Sequence, residues 1–183
     1  MAMEIERKFL VKSNDWENDV RTFHRLEQGY LAFPGNNKEP EVRVRLTSRP
    51  FRKDENDEDG LPLPQSYDCA FITVKSKGDL VRSEAEGAID VDVAKEMMKA
   101  CQGVIISKTR YMVPHQDVVF EVDVYHGDLE GLVTAEVELS HVGQDISLPS
   151  WIGEDITSIS SYKNASLAKS GMPAHRVMPS PSP

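Results

Sequence analysis

The chain has 183 residues, 39% of them apolar and 28% charged, and 30 Asp and Glu outweigh 21 Lys and Arg to give a net charge of −9 and a pI near 5.0. That length suits one domain, and that acidity argues against a broad electrostatic grip on nucleic acid or anionic lipid. Acids stand at the N-terminus where a signal peptide needs an apolar stretch, no apolar run nears the ~20 residues of a membrane span, and Cys69 and Cys101 are too few for a disulfide scaffold, so a reducing cytoplasm is expected.

Period-two alternation predicts a first strand over 3–11. A helix is expected over 14–24, entered from Ser13 as N-cap, with Trp16, Val20 and Phe23 on one stripe. Strands follow over 26–33 and 41–48. Residues 51–66 carry Asp54, Glu55, Asp57, Glu58 and Asp59, then Gly60, Pro62 and Pro64, and read as a mobile surface loop. Strands over 68–76 and 82–90 lead to a second helix over 92–101, with Ala94, Met97, Met98 and Cys101 on one face and a stop at Gly103. Strands over 104–113, 117–126 and 132–141 complete a set of eight. A last helix over 160–170 carries Tyr162, Ala165 and Ala168 and stops at Gly171 and Pro173. The class is α+β, mainly β: an eight-stranded antiparallel sheet or closed barrel with the three amphipathic helices outside. One domain over 1–172 and a flexible Pro/Ser-rich tail over 173–183 are expected.

Side chains two apart in a strand share a face. Glu4, Glu6 and Lys8 therefore align, as do Arg43 with Arg45, Arg82 with Glu84 and Glu86, Lys108 with Arg110, Glu121 with Asp123, and Glu136 with Glu138; Lys75 closes a strand whose Ile72 and Val74 face the other way. Any one such face is ordinary on a half-exposed sheet. Together they are less so, because like charges two apart repel unless an opposite charge lies between neighbouring strands. Closed inward, these faces would gather eight acids and seven bases around a wet interior. Several Lys and Arg around one cavity suit a chain of phosphates, and carboxylates without His or Cys suit hard cations, Mg²⁺ or Mn²⁺.

At this point the chain resembles the CYTH proteins, the triphosphate tunnel metalloenzymes, and most of all their short bacterial inorganic triphosphatases. The resemblance runs in order through Glu4-Ile5-Glu6-Arg7-Lys8, Val42-Arg43-Val44-Arg45, Ile72-Thr73-Val74-Lys75, Arg82-Ser83-Glu84-Ala85-Glu86, Lys108-Thr109-Arg110, Glu121-Val122-Asp123, Glu136-Val137-Glu138 and Tyr162-Lys163-Asn164-Ala165. It implies an eight-stranded tunnel holding a divalent metal and a triphosphate. The implied metal ligands are Glu4, Glu6, Glu136 and Glu138. Lys8, Arg43, Arg45, Lys75, Arg82, Lys108 and Arg110 would cradle phosphate, with Glu4 and Lys75 as the catalytic pair. Glu84, Glu86, Glu121 and Asp123 either join the metal or balance the bases. Two departures bear on substrate length: the 51–66 insertion, and Lys163 where many relatives carry an aromatic residue.

The expected activity is metal-dependent hydrolysis of triphosphate, inorganic tripolyphosphate first, by positioning and charge neutralisation. Its partner is a small triphosphate, with no nucleic acid and no membrane, and a homodimer is compatible. The alternatives are a class IV-type adenylyl cyclase, a nucleoside or thiamine triphosphatase, and a non-catalytic polyphosphate-binding module. Eight buried acids argue against the last. His24, His115, His126, His141 and His175 show no ligand spacing and are expected on the surface or in loops; Cys69 is expected as a small buried hydrophobe, and Trp16, Met97 and Met98 as helix core.

Overall fold

The computed structural model describes residues 5–33, 40–52, 67–75 and 84–174. Among the described residues ten strands form one antiparallel sheet: β1 Ile5–Val11, β2 Thr22–Ala32, β3 Glu41–Thr47, β4 Phe51–Arg52, β5 Cys69–Lys75, β6 Glu84–Ile89, β7 Gln102–His115, β8 Val118–His126, β9 Val133–Leu139 and β10 Ile152–Asp155. Their order is β10-β1-β9-β8-β7-β2-β3-β5-β6, with β4 on the end of β2. Among the described residues β6 and β10 do not pair, so the barrel is an open one. The eight expected strands are present; β4 and β10 are additions, too short to show an alternation of their own.

Valines and isoleucines between the charged positions drive the two outer cores. Phe9, Val11, Val113, Phe120, Val122, Ala135 and Val137 are buried beneath Trp16, Trp151 and Ile152. Val44, Leu46 and Ala70 are buried beneath α1, Val91–Met98, whose N-cap Asp90 accepts from the backbone N–H groups of Asp92 and Val93. Ala94 fills that contact, with Met97 and Met98 packed at its margin.

The helix expected over 14–24 is not one. A 3₁₀ turn spans Asp15–Asp19, Val20 is extended, and Thr22 and Phe23 already belong to β2. Ser13 caps nothing; its hydroxyl donates to Asp15. Trp16 alone of the stripe reaches the core fully, while Phe23 packs at a tilt against Phe51 and Tyr111. Phe51 and Arg52 are strand rather than loop, and residues 53–66 of that segment lie outside the described residues.

The last helix, α2, is Asn164–Ser170, preceded by a 3₁₀ turn over Ser160–Tyr162. It does not cover an outer face. Leu10, Tyr30, Ile106 and Tyr125 share parity with the charged positions, and they form a core with Tyr162, Leu167 and Ala168. α2 therefore plugs one end of the trough from inside. Gly103, at φ +71°, makes this approach possible: a Cβ there would lie 2.2 Å from the Ala168 carbonyl oxygen.

Candidate functional site

Strand register fixes which charges meet. On β1 and β9, Lys8 lies opposite Glu136 and Glu6 opposite Glu138. On β8 and β9, Glu121 lies opposite Glu136. Arg110 faces Asp123 across β7 and β8, and Arg43 faces Thr73, which faces Glu86, across β3, β5 and β6. All of these positions share the parity of the concave face. The trough has a direction. Along β1 and β9 Glu6 and Glu138 come first and Lys8 and Glu136 next, with Glu121 of β8 level with Glu136; along β7 Arg110 is followed by Lys108; and Leu10, Ile106 and Tyr125 meet α2 at the other end.

A cavity of about 610 Å³ occupies this trough. Its walls hold six of the expected bases, Lys8, Arg43, Arg45, Lys75, Lys108 and Arg110, and the acids Glu6, Glu86, Glu121 and Glu136. Glu138 does not reach it. One step further along β9, it is exposed in an adjoining cavity of about 420 Å³ that also touches Glu6, Glu121 and Glu136. Asp123 sits behind the wall with no exposure. Glu4 and Arg82 lie outside the described residues, as does the side chain of Glu84.

One wall is a closed ion-pair network. Arg110 grips Asp123 through Nε and Nη2, each at 2.7 Å, donates from Nη2 to Glu136 at 2.8 Å and from Nη1 to Glu121. Lys108 also pairs with Asp123, and Lys8 Nζ lies 2.9 Å from Glu136. Burial alone would raise the Asp123 and Glu136 carboxyls. The adjacent ammonium and guanidinium groups outweigh it and hold both below the usual range. Burial would likewise lower Lys8, yet Tyr125, Glu136 and Asp123 keep it above the usual lysine range. Glu121 is pushed up by burial, which Arg110 only partly offsets.

The facing wall is looser. Arg43 and Arg45 share Glu86 at 3.5 and 3.3 Å, and the Thr73 hydroxyl donates to the same carboxylate at 2.7 Å. Arg43 Nε is buried without an acceptor. A buried donor left bare is unusual and marks a place where an anion would be welcome.

Among the described residues, carboxylates are the metal donors that the two cavities offer. Glu6 and Glu138 face each other directly, and Glu121 and Glu136 face each other with the Arg110 guanidinium bonded to both. All four donors are oxygen, as Mg²⁺ and Mn²⁺ require. Among the described residues no three acids already close on one point.

Sequence reasoning missed Glu41, Gln28 and Tyr30 on the cavity wall. Glu41 is two residues before Arg43 and its parity could have been read. It also missed the wall made by Ile156, Thr157 and Ile159, which only tertiary packing brings there beside the 162–166 segment that the resemblance had singled out. Among the histidines, His24, His115 and His126 lie in strands rather than loops, and His24, opposite Arg110, is lowered by burial and by that guanidinium. Cys69 is exposed, because it opens β5 at the uncovered end of the strand.

Residues 2–171 match the CYTH domain family. An inorganic triphosphatase of Acetivibrio thermocellus is 31% identical over 92% of this chain and 95% of its own length. One of Nitrosomonas europaea is 34% identical over 91% of this chain and 97% of its own. A solved crystal structure of an inorganic triphosphatase superposes with a TM-score of 0.64 at 32% identity, over 92% of this chain and 95% of that one.

Proposed function

This chain belongs to the CYTH domain family, and on that premise we propose that it is a divalent-metal-dependent triphosphatase that hydrolyses a phosphoanhydride bond of inorganic tripolyphosphate in the charged trough. The observation that carries the reading is the convergence of six bases on one cavity, with a buried Arg43 N–H still lacking an acceptor.

Water adds to a terminal phosphorus as the bridging P–O bond breaks, giving phosphate and pyrophosphate. Lys8, Arg43, Arg45, Lys75, Lys108 and Arg110 bind and align the phosphate oxygens, and Arg82 joins them by its place in the sequence. Glu6, Glu136 and Glu138, with Glu4, would hold Mg²⁺ or Mn²⁺. When bound, that ion neutralises charge on the phosphate oxygens. Glu4 is assigned the attacking water, because Glu-x-Glu-x-Lys spacing sets it on one face with Glu6 and Lys8. Lys75 is assigned to charge developing on the phosphates. Asp123 touches no substrate; it fixes Arg110 and Lys108.

The test is a panel of tripolyphosphate, ATP and thiamine triphosphate, each with Mg²⁺, Mn²⁺ or EDTA, followed by phosphate release and product identification. Tripolyphosphate turnover that stops in EDTA and returns with either cation is expected, with Glu136→Gln and Glu138→Gln folded and weakly active. Full turnover in EDTA, or cyclic AMP from ATP, would replace this reading with another.

A further inference from the structure

The acids that line the main cavity are not spread evenly. Glu6, Glu121 and Glu136 lie on the side away from α2, and Glu86 is taken up by Arg43 and Arg45. Glu41 is the exception. Arg45, Arg43 and Glu41 follow one another on β3 with the same parity, and all three line the cavity. Arg45 lies opposite Gln28 and Arg43 opposite Tyr30, and Tyr30 is buried in the inner core with Tyr162, Leu167 and Ala168. The row therefore runs toward α2, and Glu41 stands beyond its last arginine.

Its charge is not spent on a neighbour. Glu41 is half-buried and makes no side-chain hydrogen bond or ion pair among the described residues. Lys75 lies opposite it across β3 and β5, yet no ion pair joins the two, and Lys75 has a partner of its own. The carboxylate acts instead on the Tyr30 hydroxyl, whose proton is held more tightly through burial first and through Glu41 next. A carboxylate that neutralises no base inside a basic cavity repels any anion placed beside it.

We infer that Glu41 is a specificity-determining residue that repels a fourth phosphate and so limits linear polyphosphate substrates to three. The inference rests on reading the cavity as a triphosphate site. With Glu6 and Glu136 at one end, a linear polyphosphate extends along the cradle toward α2 and meets Arg45 and Arg43 in turn. The next position on that face, roughly 7 Å further along the strand, presents a carboxylate where a longer chain needs a base. Tripolyphosphate ends short of it. A fourth phosphate would share a partly desolvated space with a like charge, and such a juxtaposition rejects a wrong ligand without weakening the right one.

The experiment compares Glu41→Gln, Glu41→Asp and Arg43→Gln with the full-length protein, using linear tripolyphosphate and linear tetrapolyphosphate, with kinetics in the presence of metal and binding titrations in EDTA. Glu41→Gln should raise kcat/KM for tetrapolyphosphate about tenfold, the scale of one like-charge contact relieved, and leave tripolyphosphate within about twofold. Glu41→Asp keeps the charge and should keep the preference for the shorter chain. A tetrapolyphosphate value unmoved by Glu41→Gln, both substrates moved together, or a preference lost as fully in Glu41→Asp as in Glu41→Gln overturns the assignment of Glu41. If Arg43→Gln weakens tripolyphosphate binding while Glu41→Gln leaves the ratio of the two chains unchanged, the triphosphate site stands and only this inference falls. If Arg43→Gln leaves the binding of both chains unchanged, the site reading fails and this one with it.

Discussion

The two charged walls of the trough are built from the same residue types and do different work. On β7, β8, β9 and β1 the pairs are short and centred on a fully buried acid, Asp123 at 0% exposure, with Arg110 engaging it, Glu136 and, at the rim, the more exposed Glu121. On β3, β5 and β6 two arginines share one carboxylate, Glu86, that is 35% exposed, and Arg43 keeps a bare N–H. Buried pairs have already lost their water and tolerate no missing partner; half-exposed pairs exchange partners cheaply. The first wall is a fixed template, and the second is free to trade its carboxylate for a ligand.

Asp123→Ala should show the contrast most strongly. It leaves Lys108 and Arg110 uncompensated, which costs about 3–5 kcal/mol. That corresponds to a fall in Tm on the order of 10 °C for a chain of this size, read by thermal or urea melts. Its pH arm has a definite sign. Asp123 and Glu136 are held low, so their contribution is present above the usual carboxylate range and is lost as pH falls through it. Lys8 is held high, so its contribution is present below the usual lysine range and is lost only as pH rises beyond it. Glu121 works the other way, since its raised pKa makes protonation a relief. Wild-type stability should be flat through neutrality and drop in acid, and Asp123→Ala should flatten that acid limb. A melt indifferent to Asp123 would erase the distinction between the walls.

Arg45→Ala should act on binding instead. A rise in tripolyphosphate KM of about tenfold is expected, with stability changed by less than about 1 kcal/mol. A large stability loss here would mean that the β3 wall is as rigid as its partner.

Glu86→Gln is the subtlest test. Removing the shared carboxylate frees Arg43 and Arg45, so KM should fall, by roughly two- to threefold, while stability moves by less than about 1 kcal/mol. A higher KM would show that Glu86 positions the arginines rather than competing for them.

Much of this was legible in sequence because strands have a fixed period. Parity alone placed Lys8, Arg43, Arg45, Lys75, Lys108, Arg110 and Glu136 on one face, and the structure brings them to one cavity. It could not tell Asp123, sealed behind the wall, from Glu121 on its surface. Nor could it see that Glu138 stops one step short. The errors lie where local pattern and tertiary packing compete. Trp16, Val20 and Phe23 have helical spacing, yet Phe23 is drawn into β2 by pairing with Phe51 and Tyr111. β10 has no alternation to read, and it joins the sheet only because β1 leaves an edge beside Ile152–Asp155. The role of α2 inside the trough depends on which face its apolar stripe meets, and a stripe carries no such address.

Gly103 touches no base of the cradle, but it sets how near α2 can come. Its positive φ and the 2.2 Å that would separate a Cβ from the Ala168 carbonyl mean that even alanine forces the backbone of β7 or of α2 to move. The displaced helix carries Asn164 and, beside it, Lys163. In a mutational screen scored only by growth or turnover, this glycine would be recovered alongside the phosphate-binding arginines and mistaken for one of the chemical groups, when its contribution is a clearance.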